Sequence, residues 1–147
     1  MTLESLQDLE LEPIKVRIAR EKVAEYVAAT GDDAARWTDA APPSYAGALL
    51  FVAAPLLLDR EDVRAHTRVL VHVDQRFSWH DKLTVGSVVK LTSRVSKVRS
   101  RGGSSFVTFD VTVDGTDGRL LDSVSTFLMG EEPAAEPGID HGEPPAT

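Results

Sequence analysis

From Ala46 to Leu58 no residue carries a charge, so a helix there is apolar on every face rather than striped, as in a helix enclosed by other structure. Pro42-Pro43 opens the stretch, and Pro55, which has no N–H and crowds the carbonyl of Phe51, predicts a kink or a handover to a second short segment. Crossing a membrane takes roughly 20 apolar residues. This run is shorter and broken by a proline, so it predicts a buried helix and no membrane partner.

Upstream, Ile14, Val16 and Ile18 alternate with Lys15 and Arg17, the period of a short half-buried strand. Ala19, Val23, Tyr26, Val27 and Thr30 then fall at helical spacing, and Gly31 is the stop signal. Residues 32–45 have no clear period and carry Asp, Ala and two prolines, which predicts an irregular segment leading into the buried helix, a common place for function. Residues 1–12 are acidic and weakly patterned, so they read as a loose lead-in with a turn of helix around Leu3–Leu9 and order beginning near Pro13.

Downstream of a charged connection, Asp59–Thr67, the period becomes two. Val69, Val71, Val73, Phe77 and Trp79 share one face, against Arg68, His72, Asp74, Arg76 and Ser78 on the other. Val88–Val98 follows Gly86, patterned through Val89, Leu91 and Val95, and Gly102-Gly103 marks a hairpin. Val107, Phe109, Val111 and Val113 give the clearest alternation, Asp117-Gly118 the next turn, and Leu120–Met129 the last strand. The predicted class is α+β, a curved antiparallel sheet wrapped around a central apolar helix, with the domain at 13–130 between the lead-in at 1–12 and a disordered acidic tail at 131–147. Such a sheet leaves an edge and part of the helix uncovered, which a second copy or a similar subunit would cover.

A length of 147 residues, 42% hydrophobic and 27% charged, suits one soluble domain. The formal charge of −7 is concentrated in residues 131–147, which hold five acids and no Lys or Arg. The rest stands at −2, which offers nothing to a nucleic acid. The absence of cysteine excludes thiol catalysis, disulfides and thiolate metal sites. Glu4, Asp8, Glu10 and Glu12 stand where a signal peptide needs basic and then apolar residues, which predicts a cytoplasmic protein. No spacing suits a metal and no Gly-rich phosphate loop is present, so no cofactor is predicted.

His72, with Asp74 and Arg76, reads either as a site residue or as a surface histidine paired with a carboxylate, and His80 beside Asp81 reads the same way. His66 and His141 receive no role. Arg94, Lys97, Arg99 and Arg101 form a basic run that suits a phosphate-bearing ligand or partner, or else a solvated edge strand. Simple alternation puts Arg94 on one face and the other three on the opposite one.

The order of elements resembles the hot-dog fold. Ala29-Thr30-Gly31-Asp32, Trp37-Thr38-Asp39, Ala41-Pro42-Pro43-Ser44-Tyr45, Val71–Trp79 through Gly86, and Asp117-Gly118-Arg119-Leu120 together resemble the MaoC-like (R)-specific enoyl-CoA hydratase and 3-hydroxyacyl dehydratase family, in its N-terminal-dehydratase-type branch. The resemblance spans roughly residues 14–130. It implies a loop of the form Gly-Asp-x-Asn-Pro-aliphatic-His, whose Asp and His handle a water added across an enoyl thioester or removed in reverse, with backbone amides at the start of the central helix as donors to the thioester oxygen. Tyr45, Ala46 and Gly47 fall at those donors, and Trp37 falls on the catalytic His, with Ala34, Ala35 and Arg36 for Asn, Pro and the aliphatic residue. Only Asp32 survives, as the remnant of a catalytic acid or as a solvated turn residue. Trp37 lines the acyl pocket or packs under the loop.

The resemblance therefore implies a subunit lacking the acid/base pair, which shapes an acyl tunnel beside a MaoC-like partner that carries the pair. Two alternatives are a homodimeric hydratase or dehydratase using Asp32 with a histidine from elsewhere, and a non-catalytic acyl-thioester-binding protein. In each the ligand is an acyl-CoA or acyl carrier protein thioester.

Overall fold

Alternation of apolar with polar residues buries Val107, Phe109, Val111 and Val113 along one side of β4 (Ser104–Gly115), the middle strand of a five-stranded sheet in the computed structural model, which describes residues 2–131. Its neighbours are β3 (Val88–Arg101) and β5 (Gly118–Gly130). The turns use positive φ, at Gly102 (59°) and Gly103 (82°) on one side and Gly118 (136°) on the other, where a side chain is strained.

The order is β1-β3-β4-β5-β2, antiparallel at every pairing. β2 (Val69–Trp79) crosses the sheet to pair with β5, and the short β1 (Ile14–Arg17) closes the opposite edge on β3. α1 (Arg20–Ala29) stops at Gly31, whose φ is 80°. α2 (Ala46–Ala53) hands over at Pro55 to α3 (Pro55–Leu58), as the proline requires, and α4 (Glu61–Arg64) adds one turn that buries Val63 within the charged connection. Leu49, Leu50, Ala53 and Leu57 of the central helices share a core with Val95, Phe109, Leu121 and Met129 of the sheet.

Four expectations are corrected. Residues 2–12 are not loose: Leu3 and Leu6 are buried, and Asp8, Leu9 and Leu11 exchange backbone hydrogen bonds with Val95 and Ser93, so the lead-in extends the edge begun by β1. The central helix is not enclosed on every face, since Phe51 and Val52 are 66% and 43% exposed. The face assignments of β2 and β3 also change, each for the same reason.

A bulge inserts one residue and inverts the parity of everything beyond it. In β2 the register shifts between His72, opposite Phe127, and Asp74, opposite Thr126. His72 therefore joins Gln75, Phe77 and Trp79 on the helix-covered face, while Val71 lies with Asp74 and Arg76 on the outer face. In β3 the shift between Val95 and Lys97 places Arg94, Lys97, Arg99 and Arg101 opposite Asp110, Thr108, Phe106 and Ser104, all on the outer face. The basic run is united rather than split. Of the tail predicted to be disordered, 132–147 lies outside the described residues.

Candidate functional site

The segment after α1 folds back on itself. Asp33 caps a 3-10 turn, Ala34–Trp37, by accepting from the Ala35 amide at 3.0 Å, and the turn returns Arg36 and Trp37 over Asp32. The Asp32 carboxylate accepts from Trp37 Nε1 at 2.9 Å, the Arg36 guanidinium at 3.1 Å and the Asp33 amide at 2.8 Å. Trp37, half-buried, packs its ring against the core, and the Arg36 guanidinium lies 6.0 Å from the ring centre.

These donors decide what Asp32 can do. The Trp37 indole hydrogen bond, followed by the Asp33 amide and the Arg36 charge, holds the carboxyl below its ordinary range. A carboxylate so stabilised is a poor proton acceptor, and an indole N–H donates but accepts nothing. The pair that the resemblance would make Asp and His is here an anion and its clamp.

Further along, Ala41 donates to Leu83 O and Val85 to Asp39 O, which pins the segment leading to the central helix against residues 83–85. Tyr45 is buried edge-on to Tyr26, with ring centres 5.3 Å apart, and burial pushes its phenol up. Its amide donates to Pro42 O at 2.9 Å, and the Ala46 amide to Pro43 and Ser44 carbonyls, so both are committed inside the chain. Gly47 is partly exposed, and a Cβ placed on it would meet nothing within 4 Å.

The histidines separate. His80 Nε2 lies 2.7 Å from Asp122, which also takes Arg119, so its partner is a carboxylate across the strands rather than the adjacent Asp81. His66 meets Glu131 at 2.9 Å, and His141 lies outside the described residues. Among the described residues His72 meets no carboxylate: its Nε2 lies 3.0 Å from Gln75 Oε1, and its ring lies beside Phe127. Gln75, Ser123 and Ser125, which complete that network, were missed by sequence reasoning. The signal for them was two serines at core-facing positions beside Leu121 and Phe127.

On the outer face Lys97 and Arg99 border a groove of about 380 Å³ with Phe106, Thr108 and Thr126, and Arg94 stands 3.7 Å from Asp110. Among the described residues no group of three or more His, Asp or Glu is placed to hold a metal, and no helix is long and apolar enough to cross a membrane.

The family model described as "FAS1-like, dehydratase domain region" matches residues 7–123. The chain belongs to that family. A UPF0336 protein of Cutibacterium acnes is 29% identical over 119 residues, covering 79% of this chain and 84% of the relative. Among solved structures, the (3R)-hydroxyacyl-ACP dehydratase complex HadBC of Mycobacterium tuberculosis superposes with a TM-score of 0.66 at 21% identity, over 84% of this chain and 96% of that one. The ChsH1-ChsH2 complex of the same organism gives 0.63 at 17%, over 87% of each chain. These likenesses show the fold, the hot-dog fold of MaoC-like dehydratases and hydratases. The FAS1-like dehydratase-region chain thus carries the family's architecture together with a loop whose Asp32 is clamped by Trp37.

Proposed function

We propose that this chain is the catalytically depleted subunit of a heteromeric enoyl-thioester hydratase or 3-hydroxyacyl-thioester dehydratase, shaping the acyl tunnel beside a MaoC-like partner that carries the intact Asp and His. The observation that carries this reading is the Trp37 indole hydrogen-bonded to Asp32. Adding or removing water needs one group to take a proton and one to give it, both within reach of the substrate. Asp32 is held as an anion by three donors, and Trp37 relays nothing.

Three further features support a paired subunit. β2 is an eleven-residue edge strand with Leu70, Val71 and Val73 exposed, a long apolar edge that proteins ordinarily cover. Phe51 and Val52 leave one flank of the central helix uncovered. Gly47 has open space where a side chain would sit, so nothing among the described residues calls for glycine there, whereas close approach of a thioester or partner would. The united cations Lys97, Arg99 and Arg101, with Arg94, are the groups that would meet the phosphates of coenzyme A or of a carrier protein. Both complexes named above, HadBC and ChsH1-ChsH2, have the same fold.

The test is hydration of a trans-2-enoyl thioester by the chain alone and co-expressed with a subunit bearing the intact loop. A stable complex on sizing with turnover only in the mixture is expected. Turnover by the chain alone, abolished by Asp32→Asn, overturns the reading in favour of a homodimeric enzyme; thioester binding with no complex and no turnover points to a binding protein.

A further inference from the structure

We propose that His72, held by Gln75 on the helix-covered face of β2, is a hydrogen-bond acceptor for a hydroxyl group carried on the acyl chain of a thioester. The inference rests on the subunit reading above for the origin of that chain, and on the following network for the rest.

Gln75 Nε2 lies 3.2 Å from the Arg76 carbonyl oxygen and 2.9 Å from Ser123 Oγ. A carbonyl oxygen only accepts, so the atom facing it is the amide nitrogen, which fixes the orientation of the side chain. The amide oxygen then receives Ser125 Oγ–H and faces His72 Nε2 at 3.0 Å. Because that oxygen also only accepts, Nε2 carries the hydrogen. In the neutral ring Nδ1 is left with its lone pair, and Nδ1 has no hydrogen-bond partner among the described residues.

The network is built, not incidental. Ser125 and Ser123 are 0% and 3% exposed and occupy core-facing positions of β5, where Leu121, Phe127 and Met129 are the neighbours on the same face. Burying two hydroxyls costs stability unless they are bonded, and both are bonded to Gln75. Gln75 in turn orients the imidazole, whose ring centre lies 5.0 Å from that of the buried Phe127 with the planes tilted by 45°. His72 itself is exposed, so Nδ1 is open to a ligand from solvent.

The surroundings define the ligand. Leu70, Phe77 and Trp79 share the helix-covered face of β2 with His72, and this strand is the free edge of the sheet. With Gln75, Ser123 and Ser125 bonded to one another, Nδ1 is the acceptor left open beside Leu70, Phe77 and Trp79, which suits an aliphatic chain with one donor, and a hydroxylated acyl chain has that chemistry. The amide N–H of the pantetheine arm is the competing donor, and it is common to every acyl thioester.

The experiment is long-range nitrogen-15 NMR of the histidine rings in the full chain, followed by titration with 3-hydroxyoctanoyl-pantetheine and with octanoyl-pantetheine. His72 is expected as the Nε2–H form in the wild type and as a mixture of forms in Gln75→Leu. The hydroxylated thioester is expected to shift the Nδ1 resonance and to bind about fivefold more tightly than the saturated one, the worth of one hydrogen bond. His72→Phe, which keeps an aromatic ring over Phe127, is expected to erase that preference while retaining the fold by circular dichroism.

Equal binding of the two thioesters, or a preference that survives His72→Phe, overturns the proposal. Where the lone chain binds neither, the two thioesters are compared in the reconstituted complex as competitive inhibition constants against trans-2-enoyl thioester hydration, and no difference there overturns it as well. A complex that never forms refutes the subunit reading alone, since the tautomer and the binding preference of the lone chain still decide the role of His72. Absence of binding by both chain and complex overturns the proposal outright.

Discussion

Trp37 stands where the resemblance sets a histidine, and its indole bonds Asp32. An Asp beside a His can exchange a proton; an Asp bonded by an indole, an amide and a guanidinium has its charged form favoured. Trp37→Phe removes the leading donor, so the charged form loses stabilisation and the Asp32 midpoint rises toward the ordinary carboxylate value of about 3.9. Carbon-13 NMR of the Asp32 carboxyl in the wild type and variant measures this. Gly47→Ala separates stability from function: with open space at the Cβ, it is expected to stabilise the lone chain by about 0.5 kcal/mol in urea unfolding and to lower turnover of the paired enzyme. The spacing of Trp37 after Gly31-Asp32 was legible in the sequence, and the resemblance sets it where a histidine is expected. The indole hydrogen bond was not, because it depends on the 3-10 turn that brings residue 37 back over residue 32.

The elements were legible wherever periodicity held. Alternation located β4 and β5, the uncharged run located α2, and Pro55 ended α2 as expected. Periodicity failed at the bulges, since an inserted residue has no signature of its own and Val73 reads as one more apolar alternate. His72 and the cations of β3 were assigned to the wrong faces for that reason. It failed again in the lead-in, where Leu3 and Leu6 are too close together to declare a period, yet both are buried by contacts with distant strands. Leu6→Ala is therefore expected to cost about 2–3 kcal/mol in urea unfolding, as for other buried leucines. A loose lead-in would give less than about 0.5 kcal/mol.

At the scale of the whole molecule the sheet has one short edge, reinforced by the lead-in, and one long bare edge at β2. Composition and pattern gave the class of the fold but not the crossover that sends β2 to β5, since alternation encodes burial and not the identity of the neighbour. The ends of the strands are tied by charge: Arg119 bridges Asp114 and Asp122, and His80 holds Asp122 from β2's end. The His80 hydrogen bond, then Arg119, holds the Asp122 carboxyl below its ordinary range. Its contribution to stability is thus present above the unfolded carboxylate value and is lost as pH falls through the lower folded one. Thermal melts of Asp122→Asn against wild type are expected to differ near neutrality by less than about 1 kcal/mol, because the pairs are solvent-accessible. The two proteins should converge once pH has fallen below the folded midpoint.

The claim at the centre of the account is that this chain supplies shape and the partner supplies the acid/base pair. Steady-state hydration of a trans-2-enoyl thioester by the two-subunit complex tests it most directly, with Asp→Asn placed first in this chain at Asp32 and then in the intact loop of the partner. The account predicts kcat within about twofold of wild type for Asp32→Asn and a loss of about a hundredfold or more for the partner's substitution. A loss of the second size from Asp32→Asn, with the complex intact on sizing, would contradict it.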